Sequence, residues 1–126
     1  MIVVLDASAL LAFLLDEPGQ EKVDPVLPEA MMSSVNWSEI IQQLVRKGVD
    51  PTGCRQDIEA LGVSIVPFDA DSAEQAALLW PQGRSHGLSL GDRACLALGM
   101  TLQSPIMTAD RVWAVAFPDL PIQLIR

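Results

Sequence analysis

The chain has 126 residues, with eight Lys and Arg against sixteen Asp and Glu, and a formal net charge of −8. Half of it is hydrophobic and 19% is charged, a balance that excludes disorder, which needs few apolar residues and much charge. No apolar run approaches the roughly 20 residues of a membrane span, and the length suits one domain, residues 1–126.

The elements follow from hydropathy period and from breakers. Ile2 to Leu5 is a short β-branched run that reads as a strand ending at Asp6. It starts directly after Met1 without a basic leader, so a cytoplasmic protein is expected. Ala7 to Leu15 reads as a helix, broken by Asp16 to Glu21, and a short helix disturbed by Pro25 and Pro28 runs to Glu29. Ala30 to Val35 predicts a strand. Asn36 to Lys47 predicts a helix with Trp37, Ile40, Ile41, Leu44 and Val45 on one face and Gly48 as terminator. A helix from Asp50-Pro51 to Leu61, a strand from Val63 to Pro67 and a helix from Asp71 to Trp80 come next. Pro81 to Gly87 reads as a loop. Ser89 to Leu102 is helical, Ile106 to Thr108 a strand, Arg111 to Phe117 a short helix and Ile122 to Ile125 a last strand.

Strands separated by helices predict parallel β-α-β units. The fold class is α/β, with a central, mostly parallel sheet of about five strands and helices on both faces. Ligands in such folds sit beyond the carboxyl ends of the strands, where the strand order reverses.

Four acids fall on that edge, and each has a structural reading as a helix cap. Asp6 ends the first strand, and Asp110 stands between the Thr108 strand and the next helix. Asn36-Trp-Ser-Glu39 has capping-box spacing, with Glu39 reaching back to the Asn36 backbone, and Ser89-Leu-Gly-Asp92 is a second such box. Together they mean more. Carboxylates gathered where water is scarce repel one another, and helix dipoles offset only about 0.3–1 kcal/mol each. A divalent cation relieves the repulsion, and oxygen donors without Cys or His suit Mg²⁺ or Mn²⁺. Cys54 and Cys95 lie far apart without a C-x-x-C or a His partner, so neither zinc nor a disulfide is expected.

The charge narrows the reading further. A protein that grips nucleic acid with its own cations is normally basic, and this one has a pI near 4.3. The exception holds a metal in carboxylates and lets the metal meet the phosphate, the usual apparatus for attack of water on a phosphodiester. A mean hydropathy of +0.32 also suggests apolar surface for an oligomer or a standing partner.

Read in order, VVLDASAL (3–10), VNWSE (35–39), LSLGDRACLALG (88–99) and TAD (108–110) resemble the PIN domain, and within it the VapC toxins of bacterial VapBC toxin–antitoxin systems. The resemblance covers essentially the whole chain, and LSLGDRACLALG is its most specific piece. It implies a three-layer α/β/α sandwich and a Mg²⁺- or Mn²⁺-dependent endoribonuclease that cuts RNA, dimerises as a homodimer and is silenced by a cognate antitoxin. The family's acids map onto Asp6, Glu39, Asp92 and Asp110, which would hold the metal and act in catalysis. Its supporting hydroxyls map onto Ser8 and Thr108.

Several residues carry open alternatives. Ser8 is a helix cap or a hydrogen-bond donor to an acid. His86 reads as a solvated loop residue rather than a general base. Arg84, Arg93 and Arg111 bind RNA or pair with Asp92 and Asp110, and pairing is the expectation. Trp37, Trp80 and Trp113 are expected in core or interface packing. An inhibitory helix is expected to lie near Leu10, Phe13 and Leu14 and to send a basic residue to the acids. The rival function is a catalytically silent PIN-like module that binds RNA or protein. A phosphate-accepting receiver domain fits poorly, because Lys22 and Lys47 both come early.

Overall fold

The apolar run after Met1 forms β1 (Val3–Leu5) in a computed structural model that describes residues 1–126. All three residues are buried, as a strand covered on both faces requires. β1 pairs in parallel with β2 (Ala30–Ser33) on one side and with β4 (Ile106–Thr108) on the other. β3 (Ser64–Val66) extends the sheet beyond β2, and β5 (Ile122–Leu124) extends it beyond β4, again in parallel. The order is β3-β2-β1-β4-β5. The α/β expectation holds, and the sheet is wholly rather than mostly parallel.

Direction of travel decides the layers. Helices α1 (Ala7–Leu14), α2 (Gln20–Val23), α3 (Ser34–Arg46) and α4 (Cys54–Ala60) sit on crossovers that step outward from β1 to β3. Helices α5 (Ala70–Leu78), α6 (Trp80–Gly83) and α7 (Leu90–Leu102) lie on the return to β4, and α8 (Val112–Ala116) joins β4 to β5. Right-handed crossovers that step in opposite directions put their helices on opposite faces. Strand alternation then divides the core in two. Val3 and Leu5 pack with Leu10, Ile40, Leu44 and Ile58, whereas Val4 and Ile106 pack with Cys95, Leu96, Trp113 and Phe117. The result is three layers, α/β/α. No helix is long and apolar enough to cross a membrane.

Several expectations need correction. β2 ends at Ser33, whose hydroxyl accepts from the Val35 N–H at 3.2 Å and caps α3. Helix α3 therefore begins at Ser34, Glu39 falls in its second turn, and no capping box forms between Asn36 and Glu39. Pro81 to Gly87 is not a loop. Pro81 stands in the first turn of α6, where its missing N–H costs nothing, and a 3-10 turn at Arg84–His86 follows. Asp24–Glu29, with both prolines, is a 3-10 turn as well. Leu10 is fully buried, so it offers no docking surface, and Phe13 and Leu14 are half-buried against the same core.

Helix α7 approaches β4 closely at Gly99, where a Cβ would run into Cγ1 and Cδ1 of the buried Ile106. Overpacking of this kind costs about 1–3 kcal/mol. Alanine gains only roughly 0.5–1 kcal/mol over glycine inside a helix. Gly99→Ala is therefore expected to lower the urea midpoint, and a raised midpoint would show that the helix has room there.

Candidate functional site

The chain runs from β1 outward through β2 and β3, then returns past β1 to β4, so the strand order reverses between β1 and β4. A crevice opens at their carboxyl ends. Asp6 follows β1 directly, and Asp110 stands two residues beyond β4.

Asp6 is only 5% exposed. Its Oδ1 accepts from the Ala9 N–H at 2.8 Å, which makes it the N-cap of α1. The Ser8 hydroxyl lies 2.7 Å from Oδ1 and 2.9 Å from Oδ2, and the Thr108 hydroxyl donates to Oδ2 at 2.6 Å. Both hydroxyls also accept. Ser8 takes the Ala109 N–H at 2.9 Å, and Thr108 takes the Asp110 N–H at 3.0 Å. The end of β4 is thus tied to Asp6 through two hydroxyl groups. No cation pairs with this carboxylate, since the ion pairs of the molecule are Met1–Glu29 and Arg55–Glu59. Burial pushes Asp6 up to about 6, the three donors pull it back only in part, and the charge of Asp92 adds to the rise.

Asp92 and Ser89 form the expected capping box at the start of α7, with Ser89 N–H to Asp92 Oδ2 at 2.8 Å and Asp92 N–H to Ser89 Oγ at 3.2 Å. Burial raises the Asp92 carboxyl; its bonds to Ser89 oppose the rise, and the charge of Asp110 reinforces it. Asp110 itself is exposed, and its Oδ1 accepts from the Val112 N–H at 3.0 Å.

Glu39 is half-buried and held from two sides. The Asn36 Nδ2 donates to its Oε1 at 2.8 Å and to the Gly91 carbonyl at 3.0 Å, which joins α3 to α7. Gly91 leaves the space that the carboxylate fills, because a Cβ there would stand 2.5 Å from Glu39 Oε2. Burial raises Glu39 as well, with Asn36 opposing and Asp92 adding. Asn36 is 1% exposed, and its Oδ1 is buried without a partner. The buried Cys95 thiol is pushed well up by its burial and further by the charges of Asp6, Asp92 and Glu39.

All four acids line one cleft of about 360 Å³, together with Ser8, Asn36, Gln42, Gln43 and Arg46. They do not close into a coordination shell. No three acidic, His or Cys side chains stand where they could share one ion. Each carboxylate is instead turned towards a local donor: Ala9, Ser89, Val112 or the Asn36 amide.

The arginines do not pair with the acids. Arg93 donates to the Ala76 carbonyl at 2.9 Å, at the end of α5, although its charge still lowers Asp92 slightly. Arg84 lies over the Trp80 ring, 4.9 Å from its centroid, and Arg111 donates to the Arg126 carbonyl at 3.4 Å. Trp113 is buried and Trp37 packs against the core, whereas Trp80 is half exposed and lies outside the core. His86 is exposed.

The motif reading missed Gln42, Gln43 and Arg46. Their signal was nonetheless present, because positions three, four and seven beyond Glu39 share its face of a helix.

The PIN domain family model matches residues 3–117. A ribonuclease VapC of Mycolicibacterium smegmatis is 31% identical over 113 residues, which covers 82% of this chain and 88% of that protein. Among solved structures, a toxin-antitoxin complex from Klebsiella pneumoniae superposes with a TM-score of 0.76 at 16% identity, covering 98% of each chain. The DNA-bound VapBC of Salmonella typhimurium gives 0.70 at 13% identity, over 100% of this chain and 99% of that one. At these identities the two structures speak for the fold.

The buried acid makes a stability prediction. Unfolded, Asp6 ionises near its ordinary 3.8; folded, it ionises at about 6. Between those values the folded state binds more protons, so stability falls as pH rises from about 4 to about 6, by about 3 kcal/mol in all. Asp6→Asn carries no charge to bury. Its melting midpoint is expected to exceed that of the parent at pH 8 by about 4 °C or more in metal-free buffer, and the gap should close near pH 4. Calorimetry across that range checks it, and a gap that does not vary with pH refutes it.

Proposed function

We propose that this chain, which belongs to the PIN domain family on its ribonuclease VapC branch, is a metal-dependent endoribonuclease acting as the toxin of a toxin–antitoxin pair. The observation that carries this reading is the convergence of Asp6, Glu39, Asp92 and Asp110 on one cleft at the strand-reversal point, with no cation paired to any of them.

The donor set fits a hard divalent ion. It offers carboxylate oxygens only, and Mg²⁺ binds through one or two carboxylates while keeping several waters. That habit agrees with acids that line the cleft without closing on a shared point. In this proposal Asp6, Asp92 and Asp110 hold Mg²⁺ or Mn²⁺, directly or through water, and Glu39 shares in the site. When bound, the ion lowers the pKa of water and neutralises developing charge on the phosphate oxygens.

The remaining roles belong to the chain. Glu39, whose proton affinity burial has raised, takes the proton of the attacking water. Asn36 and Gly91 fix where that carboxylate stands. Ser8 and Thr108 position Asp6 and couple it to the backbone that carries Asp110.

The partners proposed are RNA as substrate, an antitoxin as inhibitor and a second copy of the chain, with action in the cytoplasm. The solved relatives include complexes described as toxin–antitoxin, which supports the inhibitor. Exposed Leu78, Trp80, Val112 and Val115 on α5, α6 and α8 supply apolar area for association. Gln82 brings α6 against α8 by donating to the Ala116 carbonyl at 2.7 Å.

Purified protein is expected to cut single-stranded RNA with Mg²⁺ or Mn²⁺ and to stop in EDTA. Activity that survives exhaustive chelation would sink the metal mechanism. Either ion should also raise the melting midpoint of the parent and leave that of Asp6→Asn nearly unmoved.

Gly91→Ala tests the placement of Glu39 apart from its chemistry. The added Cβ displaces the carboxylate, so cleavage should fall by about a hundredfold, the scale of a misplaced catalytic group. The fold should persist by circular dichroism, since alanine suits a helix better than glycine. Unchanged turnover would free Glu39 from this role.

A further inference from the structure

Helix α3 carries more of the cleft than Glu39. Gln42, Gln43 and Arg46 line it too, at spacings that put them on one stripe of the helix. Arg46 is the only cation in that lining. It is exposed, makes no ion pair, and its Nη1 contacts the Gln43 Oε1 at 3.3 Å. One heptad along a helix rises roughly 10 Å, so Arg46 stands that far from Glu39 on the same face. At the roughly 3.4 Å per-strand rise of duplex DNA the distance is about three nucleotides, and a more extended single strand spans it with fewer.

We propose that Gln42, Gln43 and Arg46 form a strand-binding subsite on α3, in which Arg46 holds a backbone phosphate of single-stranded RNA a few nucleotides from the bond at the acids. The inference rests on the ribonuclease reading and adds to it where the substrate lies. A guanidinium presents a planar fork to two phosphate oxygens. The two glutamine amides, each donor and acceptor, face the intervening sugar and base edges. The strand runs along α3, and the phosphate that lies away from the carboxylates is met by the one positive side chain of the cleft. The plain alternative is that Arg46 only complements the C-terminal dipole of α3, whose last turn it occupies.

The two readings separate in a binding experiment. The full chain carrying Asp92→Asn, to prevent cutting, is titrated with a fluorescein-labelled single-stranded RNA pool of mixed sequence at about 50 to 200 mM salt. Added Arg46→Ala should weaken binding roughly tenfold, the scale of one charge-assisted contact. It should also reduce the slope of log affinity against log salt by about 0.7, one phosphate's share. Arg46→Lys should keep the slope, and Arg55→Ala, an exposed arginine outside the cleft, should change neither quantity. In the otherwise unmodified chain, Arg46→Ala should raise KM and leave kcat. Equal affinity and slope for Arg46→Ala and its parent, or an equal loss in Arg55→Ala, overturns the subsite. If unmodified protein cuts RNA while Arg46→Ala binds as its parent does, the subsite alone falls. If it neither cuts nor binds RNA, the ribonuclease reading falls as well.

Discussion

Asp6 sits where two neighbouring strands end before the chain leaves them in opposite directions, and its carboxylate is held there almost out of water with no cation beside it. The surrounding architecture answers to that charge. Hydrogen bonds to a charged group contribute about 1.5–3 kcal/mol each, and Asp6 collects them from Ala9, Ser8 and Thr108. They do not suffice, since its proton affinity still rises to about 6. Asp92 compounds the imbalance. Its charge reaches Asp6 and Glu39, and it is itself raised by Asp110. A fold that assembles four carboxylates in this way stores unfavourable electrostatics at one edge, which the divalent ion of the proposed mechanism would relieve. Under that proposal, ion binding and folding would be linked through the same four side chains.

Small residues are the mechanical counterpart of that assembly. Glu39 reaches the other acids because Gly91 has no side chain, and α7 reaches β4 because Gly99 has none. The hydroxyls of Ser8 and Thr108 work by accepting a backbone amide and donating to a carboxylate at once. A larger side chain at either position would separate the end of β4 from Asp6. The LSLGDRACLALG segment thus combines a capping box, an acid and two glycines at contact points, which is why it is the most specific stretch of the chain.

What the sequence displayed and what it concealed divide along the range of the forces involved. Strand ends, helix caps and the acids that occupy them are local, so Asp6, Asp92 and Asp110 were legible from their neighbours. Glu39 was singled out with them from its spacing to Asn36, but that local explanation was mistaken. Ser33 captures the cap of α3 first, and Asn36, left inside the helix, turns its amide to Glu39 and Gly91 instead. Arg93 adjoins Asp92 in sequence, yet successive helical residues point about 100° apart, and its guanidinium finds the carbonyl end of α5. Sequence adjacency suggested an ion pair that helix geometry forbids. The strand order depends on where the chain reverses, and no local window carries that information.

An acidic ribonuclease poses a problem of approach. At a net charge of −8 the long-range field repels RNA, whereas each contact within the cleft is local. At physiological salt the field is screened over about 8 Å, so repulsion weakens before the strand arrives and near contacts decide whether it stays. In the proposed binding mode those contacts would come from one end of the cleft, where the acids would take a divalent ion, and from the other, which carries Arg46. The same field acts in the opposite sense on a basic protein segment, which it draws towards the acids from a distance. For an inhibitor that presents such a segment, discrimination from substrate would begin with charge, before shape is read. The fully buried Leu10 shows that such an inhibitor must take its apolar contacts elsewhere than from the middle of α1.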